Sequence, residues 1–280
     1  MIGLFNPYKI AGPAVISFSG GATSGFMLKQ ILDSYSGVLP DNIVVCFANT
    51  GLEHEKTLEF VKNVELNWGV KVNWLEYKSV RQLQLVNFDT ANRNGKPFDD
   101  LIIDKQYLPN PVTRFCTIHL KIKTIEGFVL SLPGFESGYT DVMGLRFDEP
   151  SRVMKAKSQE KKIREIECPM YSAKHTLDDV DNFWRNNDFK LEIPRLFSNC
   201  VGCFLKGAGK LDQIARDSIS HLEWWAKREE TPFGHNDDGT EKKGVFRSDR
   251  PSYRGLIKMA QQQKLFDFPD DDTLPCNCTD

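Results

Sequence analysis

A turn built from glycine and hydroxyl residues is the first stretch of this chain that could do chemistry. The apolar run 14–18 leads into an apolar-periodic segment through Ser19-Gly20-Gly21-Ala22-Thr23-Ser24. Glycines let backbone N–H groups converge on an anion, and the start of a helix adds donors that lack a partner. The hydroxyl groups of Ser19, Thr23 and Ser24 can donate to phosphate oxygens. The turn therefore predicts a phosphate site; the alternative is a tight, well-capped turn without a ligand.

This turn differs from two common nucleotide-binding patterns. It lacks the Gly-Lys-Ser/Thr of the P-loop, and its glycines do not have the spacing of the dinucleotide fingerprint GxGxxG. Ordinary kinase or GTPase chemistry is therefore not expected here.

Seven cysteines form the second chemical feature, and five of them could serve a metal site. They are Cys46, Cys116, Cys168, Cys200, Cys203, Cys276 and Cys278. The pairs Cys200-x-x-Cys203 and Cys276-x-Cys278 favour metal or redox use, and sites of four thiolates hold zinc or an iron–sulfur cluster. Cys116 stands ahead of a predicted helix and near basic residues, which favours its thiolate. We expect Cys46 to be core and Cys168 to be structural.

Basic residues at the predicted ligand edge are the third feature. Arg146 follows a predicted strand, where its guanidinium would suit a phosphate or sulfonyl group; the alternative is a surface ion pair with Asp148 or Glu149. Lys121, Lys123 and Arg152 are secondary candidates. The basic residues between 155 and 164 predict either a solvated face or an approach for a polyanion. We expect His54 to have a structural role and not a catalytic or metal-binding one.

Alternating strands and helices would position these groups. Strands are predicted at 14–18, 42–49, 70–77 and 140–145, with helices over 24–35 and 55–69, the second ending at Gly69. Such alternation implies a doubly wound, mostly parallel α/β sheet, whose ligands lie outside the carboxyl ends of the strands.

The remaining segments are predicted to be helical or irregular. Residues 79–113 are predicted to form a helix followed by a mobile loop. A second helix is predicted further along the chain, capped by Thr176 with Asp179 three residues later. We expect a nucleotide-binding domain over 1–150 and a helical, cysteine-containing region over 151–280, packed on the first domain.

The composition excludes some classes of protein. The chain has 280 residues, 40% of them hydrophobic, and a net charge of −2, so the overall field does not favour nucleic acid. No apolar run approaches the roughly 18 residues of a membrane span, and the N-terminus lacks the features of a signal peptide. The expected location is cytoplasmic, with no membrane partner.

Six segments resemble the PP-loop superfamily of N-type ATP pyrophosphatases and phosphoadenosine-phosphosulfate (PAPS) reductases. "SFSGGATS" (17–24) resembles its pyrophosphate loop, and "VMGLRFDEPSR" (142–152) resembles its Gly-Leu-Arg element. The other matching segments are "FANTGLEHEKTLEFV" (47–61), "RFCTIHLKIKTIEGFV" (114–129), "NCVGCFLKG" (199–207) and the closing "CNCTD". The last two resemble a PAPS-reductase-like branch that is frequent in phage and bacterial genomes. The resemblance implies a Rossmann-like fold of the adenine nucleotide alpha-hydrolase kind.

The resemblance also implies a set of site residues. ATP, with Mg²⁺, would bind at Ser17, Ser19, Gly20, Gly21, Thr23 and Ser24, and its adenosine would lie near Asn49, Thr50 and Gly51. Arg146 would bind the nucleotide and share catalysis with Lys121 and Cys278. A [4Fe–4S] cluster would be held by Cys116, Cys200, Cys203 and Cys278. The alternative is structural zinc on Cys200, Cys203, Cys276 and Cys278, or free thiols.

Three functions follow from this resemblance. The leading hypothesis is an enzyme that adenylates a substrate, releases pyrophosphate and supports sulfur transfer. The second is a sulfonucleotide reductase that uses Cys276 or Cys278, although the tail lacks the Glu-Cys-Gly-Leu-His element of those enzymes. The third is a non-catalytic nucleotide-binding protein, since Thr23 replaces the acidic residue of the loop. A nucleic-acid or small-molecule acceptor, a sulfur-donor protein and a second copy of the chain are the partners considered.

Overall fold

A six-stranded sheet forms the centre of the protein. The computed structural model describes residues 6–198 and 200–262, so the predicted roles of Cys276 and Cys278 lie outside the described residues. The strands in chain order are β1 (Ala14–Ser17), β2 (Ile43–Asn49), β3 (Val72–Ser79), β4 (Gln82–Val86), β5 (Tyr139–Met143) and β6 (Arg164–Glu167). Their order in the sheet is β4-β3-β2-β1-β5-β6, and every pair is parallel except β3–β4.

Helices cover both faces of this sheet. In the first part of the chain they are α1 (Ala22–Ser34), α2 (Glu55–Trp68), α3 (Lys96–Lys105), a π-helix (Thr117–Lys123), α4 (Thr124–Val129) and α5 (Pro150–Lys157). One apolar cluster joins the sheet to α1 and α2 through side chains such as Ile16 and Leu58. A second joins Val15 and Leu75 to α4 on the opposite face. The predicted doubly wound α/β fold is confirmed.

The later part of the chain is helical, as predicted. Its helices are α6 (Pro169–Ser172), α7 (Leu177–Arg185), α8 (Ala208–Asp217), α9 (Ser220–Glu230) and α10 (Tyr253–Gln261), with a short 3₁₀ turn at Arg195–Phe197. Trp225 and Tyr253 are buried where α8, α9 and α10 pack together. Strand β6 also follows residue 150, so the sheet extends beyond the first predicted domain. Among the described residues, no helix combines the length and apolar character that a membrane crossing requires.

Local stop and start signals were predicted correctly. Gly69 ends α2 in the left-handed conformation, with φ of 62°. Thr176 and Asp179 form the capping box that opens α7, in which the Asp179 carboxylate accepts from the Thr176 backbone N–H at 2.7 Å.

The prediction of a helix directly after residue 79 was wrong. The chain turns at Arg81, which has φ of 61°, and returns antiparallel to β3 as β4. The sequence of β4, QLQLV, alternates polar and apolar residues, a period of two that suits an edge strand. The helix of this region is α3, which begins ten residues after β4 ends.

The sheet reverses its winding beside β1. From β1 the chain moves to β2 and β3 on one side, whereas β5 and β6 add on the other side. The crevice at such a switch point, outside the carboxyl ends of the strands, is where open α/β sheets bind ligands. The carboxyl ends of β1 and β5 therefore mark the candidate site.

Candidate functional site

The glycine turn leaves the start of α1 open. Gly21 is the N-cap of α1 and has no side chain to accept a hydrogen bond from the first helical amides. In residues 6–198 and 200–262, the backbone N–H groups of Ala22 and Thr23 have no acceptor. Gly20 has φ of 76°, and a Cβ there would lie 2.8 Å from Thr57 Cγ2. This position therefore requires glycine, and the turn presents free backbone donors.

Serine side chains brace this turn from inside. The Ser24 hydroxyl donates to the Gly21 carbonyl at 3.0 Å and accepts from the Ser19 backbone N–H at 3.2 Å. Ser24 is fully buried, so its hydroxyl shapes the turn and does not face solvent. Its predicted contact with phosphate stays a prediction.

A cavity of about 500 Å³, called here the loop cavity, lies over the turn. Its floor is formed by residues 19–23, and its walls come from α7 and from side chains of residues 190–198. The volume is in the range of small-molecule sites. Five basic side chains of the described residues line it: Lys121, Arg146, Arg185, Lys190 and Arg195. Two carboxylates of the described residues, Glu53 and Asp181, also line it, so the balance of charge favours an anion.

Arg146 contacts the turn and also forms ion pairs. Its Nη1 donates to Thr23 Oγ1 at 3.2 Å, while its Nε donates to Asp148 Oδ1 at 3.0 Å. Glu149 lies 3.4 Å from the same Nη1. The ion pairs with Asp148 and Glu149 are therefore present, and the binding of a phosphate or sulfonyl group by Arg146 stays a prediction. The acidic neighbours hold the guanidinium against the loop cavity, where an anion could bind to it.

A second cavity of about 270 Å³, called here the strand-end cavity, opens at the carboxyl ends of the strands. It is lined by Ser17 of β1, Ala48 of β2 and Met143 of β5, and by the π-helix and α5. Ser19 and Lys121 line both cavities. The two spaces therefore adjoin at the turn, and two residues with predicted roles stand where they meet.

A buried ion pair, which sequence reasoning missed, forms one wall of the strand-end cavity. Arg164 Nε and Nη2 donate to Asp141 Oδ2 at 2.9 and 2.6 Å, and the Ser17 hydroxyl donates to Asp141 Oδ1 at 2.6 Å. The Arg164 side chain is 3% exposed and that of Asp141 7%. Arg164 is thus not part of a solvated basic face, because β6 places it beside β5.

The turn after β2 is held mainly by internal contacts. Asn49 is fully buried; its Nδ2 donates to Glu76 Oε1 at 2.6 Å and to the Asn92 carbonyl at 2.8 Å. Gly51 has φ of 80° and lies against the backbone of Gly95. Asn49, Thr50 and Gly51 are not among the described residues that line either cavity. Their contact with adenosine stays a prediction.

The Cys200-x-x-Cys203 pair lies against that same turn. Cys200 Sγ is 3.3 Å from Thr50 Oγ1, and the Val201 N–H donates to the Leu52 carbonyl at 3.1 Å. Thr50 donates through Oγ1 to Glu53 Oε1 at 2.8 Å, and Glu53 lines the loop cavity. Desolvation, followed by the charge of Glu53, raises the pKa of the Cys200 thiol well above its usual value, while Lys121 lowers it.

Three of the predicted metal ligands are described. Cys116 is the N-cap of the π-helix, and Cys116, Cys200 and Cys203 pack against one apolar cluster. Within the described part of the chain, however, no three His, Cys, Asp or Glu side chains form a group that could hold a metal ion. The predicted ligands Cys116, Cys200 and Cys203 are therefore not brought together as a metal site in the described part of the chain, and the cluster stays a prediction.

The remaining candidates have structural positions. Cys46 is fully buried in β2, as predicted, and burial raises its pKa strongly. Burial also raises the pKa of Cys168 to about 12. His54 is the N-cap of α2, and its Nδ1 accepts from the Lys56 N–H at 3.1 Å.

Comparisons with known proteins find relatives of similar sequence. No family model matches the chain. The uncharacterized nin region protein ORF290 of Escherichia phage lambda is 28% identical over 258 residues, 88% of this chain and 84% of the phage protein. The uncharacterized protein MJ0066 of Methanocaldococcus jannaschii is 25% identical over 251 residues, 85% of this chain but 46% of its own length.

Solved structures are also similar. One of them is the U34-tRNA thiolase NcsA of Methanococcus maripaludis with its [4Fe–4S] cluster, which aligns with a TM-score of 0.42 and 14% identity. The alignment covers 89% of this chain and 71% of the thiolase. The chain is thus similar in sequence to a phage protein over most of both lengths, and to about half of an archaeal one.

Proposed function

We propose that the protein is a PP-loop enzyme that binds ATP, adenylates an acceptor with release of pyrophosphate, and prepares that acceptor for sulfur transfer. The observation that carries the proposal is the open start of α1. The amides of Ala22 and Thr23 have no acceptor among the described residues, and both residues line a cavity in which five basic side chains outnumber two carboxylates. Backbone donors at a helix start, together with the helix dipole, form a phosphate site.

The two adjoining cavities suit the two parts of a nucleotide. The phosphates would occupy the loop cavity, where Arg146 and the turn supply donors. The nucleoside would occupy the strand-end cavity, where apolar side chains such as Phe18, Ile122 and Leu145 lie beside ten polar or charged ones, five of which are basic. Ser19 and Lys121 would lie near the α-phosphate, because both cavities share them.

This placement supports chemistry at the α-phosphate. An acceptor oxygen would attack the α-phosphorus, the bond to the β-phosphate would break, and pyrophosphate would leave with the negative charge. If the phosphates lie in the loop cavity, the amides of the turn and Arg146 would stabilise this charge as it develops in the transition state. Mg²⁺, when bound to the nucleotide, would offset further phosphate charge.

Sulfur transfer would follow at the thiol side of the site. A sulfur nucleophile would displace AMP from the adenylated acceptor. Cys200 is linked through Thr50 to Glu53, which lines the loop cavity, so a thiol lies next to the proposed reaction space. Cys116, Cys200 and Cys203, with Cys278, are the proposed cluster ligands.

The released product tests this proposal. The protein is incubated with γ-labelled ATP in three separate reactions. Each reaction contains one acceptor pool: total tRNA, duplex DNA, or the low-molecular-weight fraction of a bacterial extract. We expect labelled pyrophosphate with one of these acceptor pools. Release of inorganic phosphate contradicts the proposal. Sulfite formed from PAPS and thioredoxin would identify a reductase, and ATP binding without any product would identify a binding protein.

Arg146→Gln is expected to weaken ATP binding about tenfold, because it removes a charge-assisted hydrogen bond to phosphate. Isothermal titration calorimetry measures the change. The matched control is Arg254→Gln, since Arg254 forms ion pairs with Glu223 and Glu230 and is outside both cavities. Equal affinities of the two variants would show that Arg146 serves only its ion pairs with Asp148 and Glu149.

A further inference from the structure

The polar end of the strand-end cavity has a fixed hydrogen-bond direction. Ser17 donates its hydroxyl hydrogen to Asp141 at 2.6 Å, and Asp141 is held on its other oxygen by Arg164. A carboxylate paired with a guanidinium only accepts hydrogen bonds. The single hydrogen of Ser17 is therefore used inside the protein, and its oxygen offers only lone pairs to the cavity.

Arg164 supplies a hydrogen-bond donor beside the Ser17 acceptor. Its side chain is 97% buried and lines the cavity, and its Nε and Nη2 are used by Asp141. Its Nη1 has no acceptor in the part of the chain that the structure describes. Nη1 is not among the buried polar atoms that lack a partner, so it is open to the cavity and can donate to a ligand acceptor. The wall thus presents one acceptor, Ser17 Oγ, close to one donor, Arg164 Nη1.

We infer that Ser17 and Arg164 read a part of the nucleoside that carries a hydrogen-bond donor next to an acceptor, and that Asp141 is the positioning residue that sets this direction. The inference rests on the proposed binding of ATP. It assigns Ser17 to the nucleoside and not to the phosphates, because phosphate oxygens would meet the lone pairs of Ser17 and the charge of Asp141. Two parts of ATP have the required chemistry: the amino edge of adenine and the ribose hydroxyl groups.

Nucleotide analogues distinguish these two sources. The dissociation constants of ATP, ITP, 2′-deoxy-ATP and 3′-deoxy-ATP are measured on the full chain by calorimetry. ITP replaces the amino group by an oxygen, whereas the deoxy analogues each remove one hydroxyl. We expect one analogue class to bind about tenfold more weakly than ATP. Weak ITP binding identifies the base edge, and weak binding of a deoxy analogue identifies the ribose.

Substitutions then test whether Ser17 is the reader. Ser17→Ala is expected to make the dissociation constants of ATP and of the weakly bound analogue nearly equal, because the variant lacks the hydroxyl that accepts the hydrogen bond. Ser19→Ala is the matched control. Ser19 lies two residues away in the turn and lines the loop cavity, where the phosphates are proposed to bind. Its loss should therefore weaken the binding of all four nucleotides equally and leave the ratio of their affinities unchanged. Asp141→Asn is expected to reduce the ratio as well, because an amide can donate to Ser17 and release its hydrogen.

Several results would overturn the inference. Equal binding of all four nucleotides by the unmodified protein does so, as does unchanged discrimination in Ser17→Ala. If Asp141→Asn fails to fold, the comparison of Ser17→Ala with Ser19→Ala still decides. A protein that binds ATP without discrimination contradicts only this inference, whereas one that binds no nucleotide contradicts the proposed function as well.

Discussion

Arg164→Leu is expected to lower the free energy of unfolding by about 3–5 kcal/mol, because it leaves the Asp141 carboxylate buried without its partner. The two side chains are 3% and 7% exposed and 2.6 Å apart, so most of the Asp141 carboxylate would stay out of contact with water. The bond from Ser17 to the same carboxylate does not supply a charge. Urea denaturation followed by circular dichroism measures the change.

Two further variants separate burial from pairing. Arg195 and Asp181 are also 2.6 Å apart, but their side chains are 66% and 42% exposed. Arg195→Leu is therefore expected to cost about 1 kcal/mol or less. Replacing both Arg164 and Asp141 by leucine should recover much of the loss, because no unpaired charge remains. A similar, small effect of Arg164→Leu and Arg195→Leu would contradict the buried position of Arg164.

The second large effect that we expect is the loss of bound iron when a cluster ligand is replaced. Protein purified without oxygen should contain about four iron atoms per chain and absorb broadly at about 400 nm, as thiolate-bound clusters do. Each of four single variants should abolish this absorbance, because each loses one thiolate ligand. The variants replace Cys116, Cys200, Cys203 or Cys278 by serine. Metal analysis and the absorption spectrum of each variant are the measurements.

The matched control for this series is Cys276→Ser, two residues from the predicted ligand Cys278. It should keep the absorbance, as should Cys168→Ala, whose buried thiol is outside the predicted ligand set. A colourless protein with about one zinc ion per chain, lost on Cys276→Ser but kept on Cys116→Ser, would instead identify the zinc site. Protein that binds neither metal would contradict both sites.

The parts of the fold that depend on local signals were predictable from the sequence. Gly69 ends α2 and Thr176 begins α7 because glycine and capping residues act on their own helix ends. Strand β4 was missed because its alternation covers only five residues at the edge of the sheet. Arg164 was placed in a charged run, whereas its burial depends on Asp141, 23 residues away in a neighbouring strand.

The candidate site was predictable to a similar extent. The glycine turn forms at the start of α1 as expected, and Arg146 and Lys121 both line the loop cavity. Other contacts are non-local and have no sequence signal. Asn49 donates to Glu76 and Asn92, which are 27 and 43 residues away. Glu53 lines the loop cavity and belongs to the turn that Cys200 contacts. Only the assembled sheet shows that Ser17 faces Asp141.

The crystal structure of the protein with Mg²⁺ and a non-hydrolysable ATP analogue tests the central claim most directly. We predict phosphate oxygens within hydrogen-bond distance of the Ala22 and Thr23 amides, with the nucleoside in the strand-end cavity. A nucleotide bound elsewhere, or a turn whose amides are closed by the protein itself when ATP is present in excess, would contradict it.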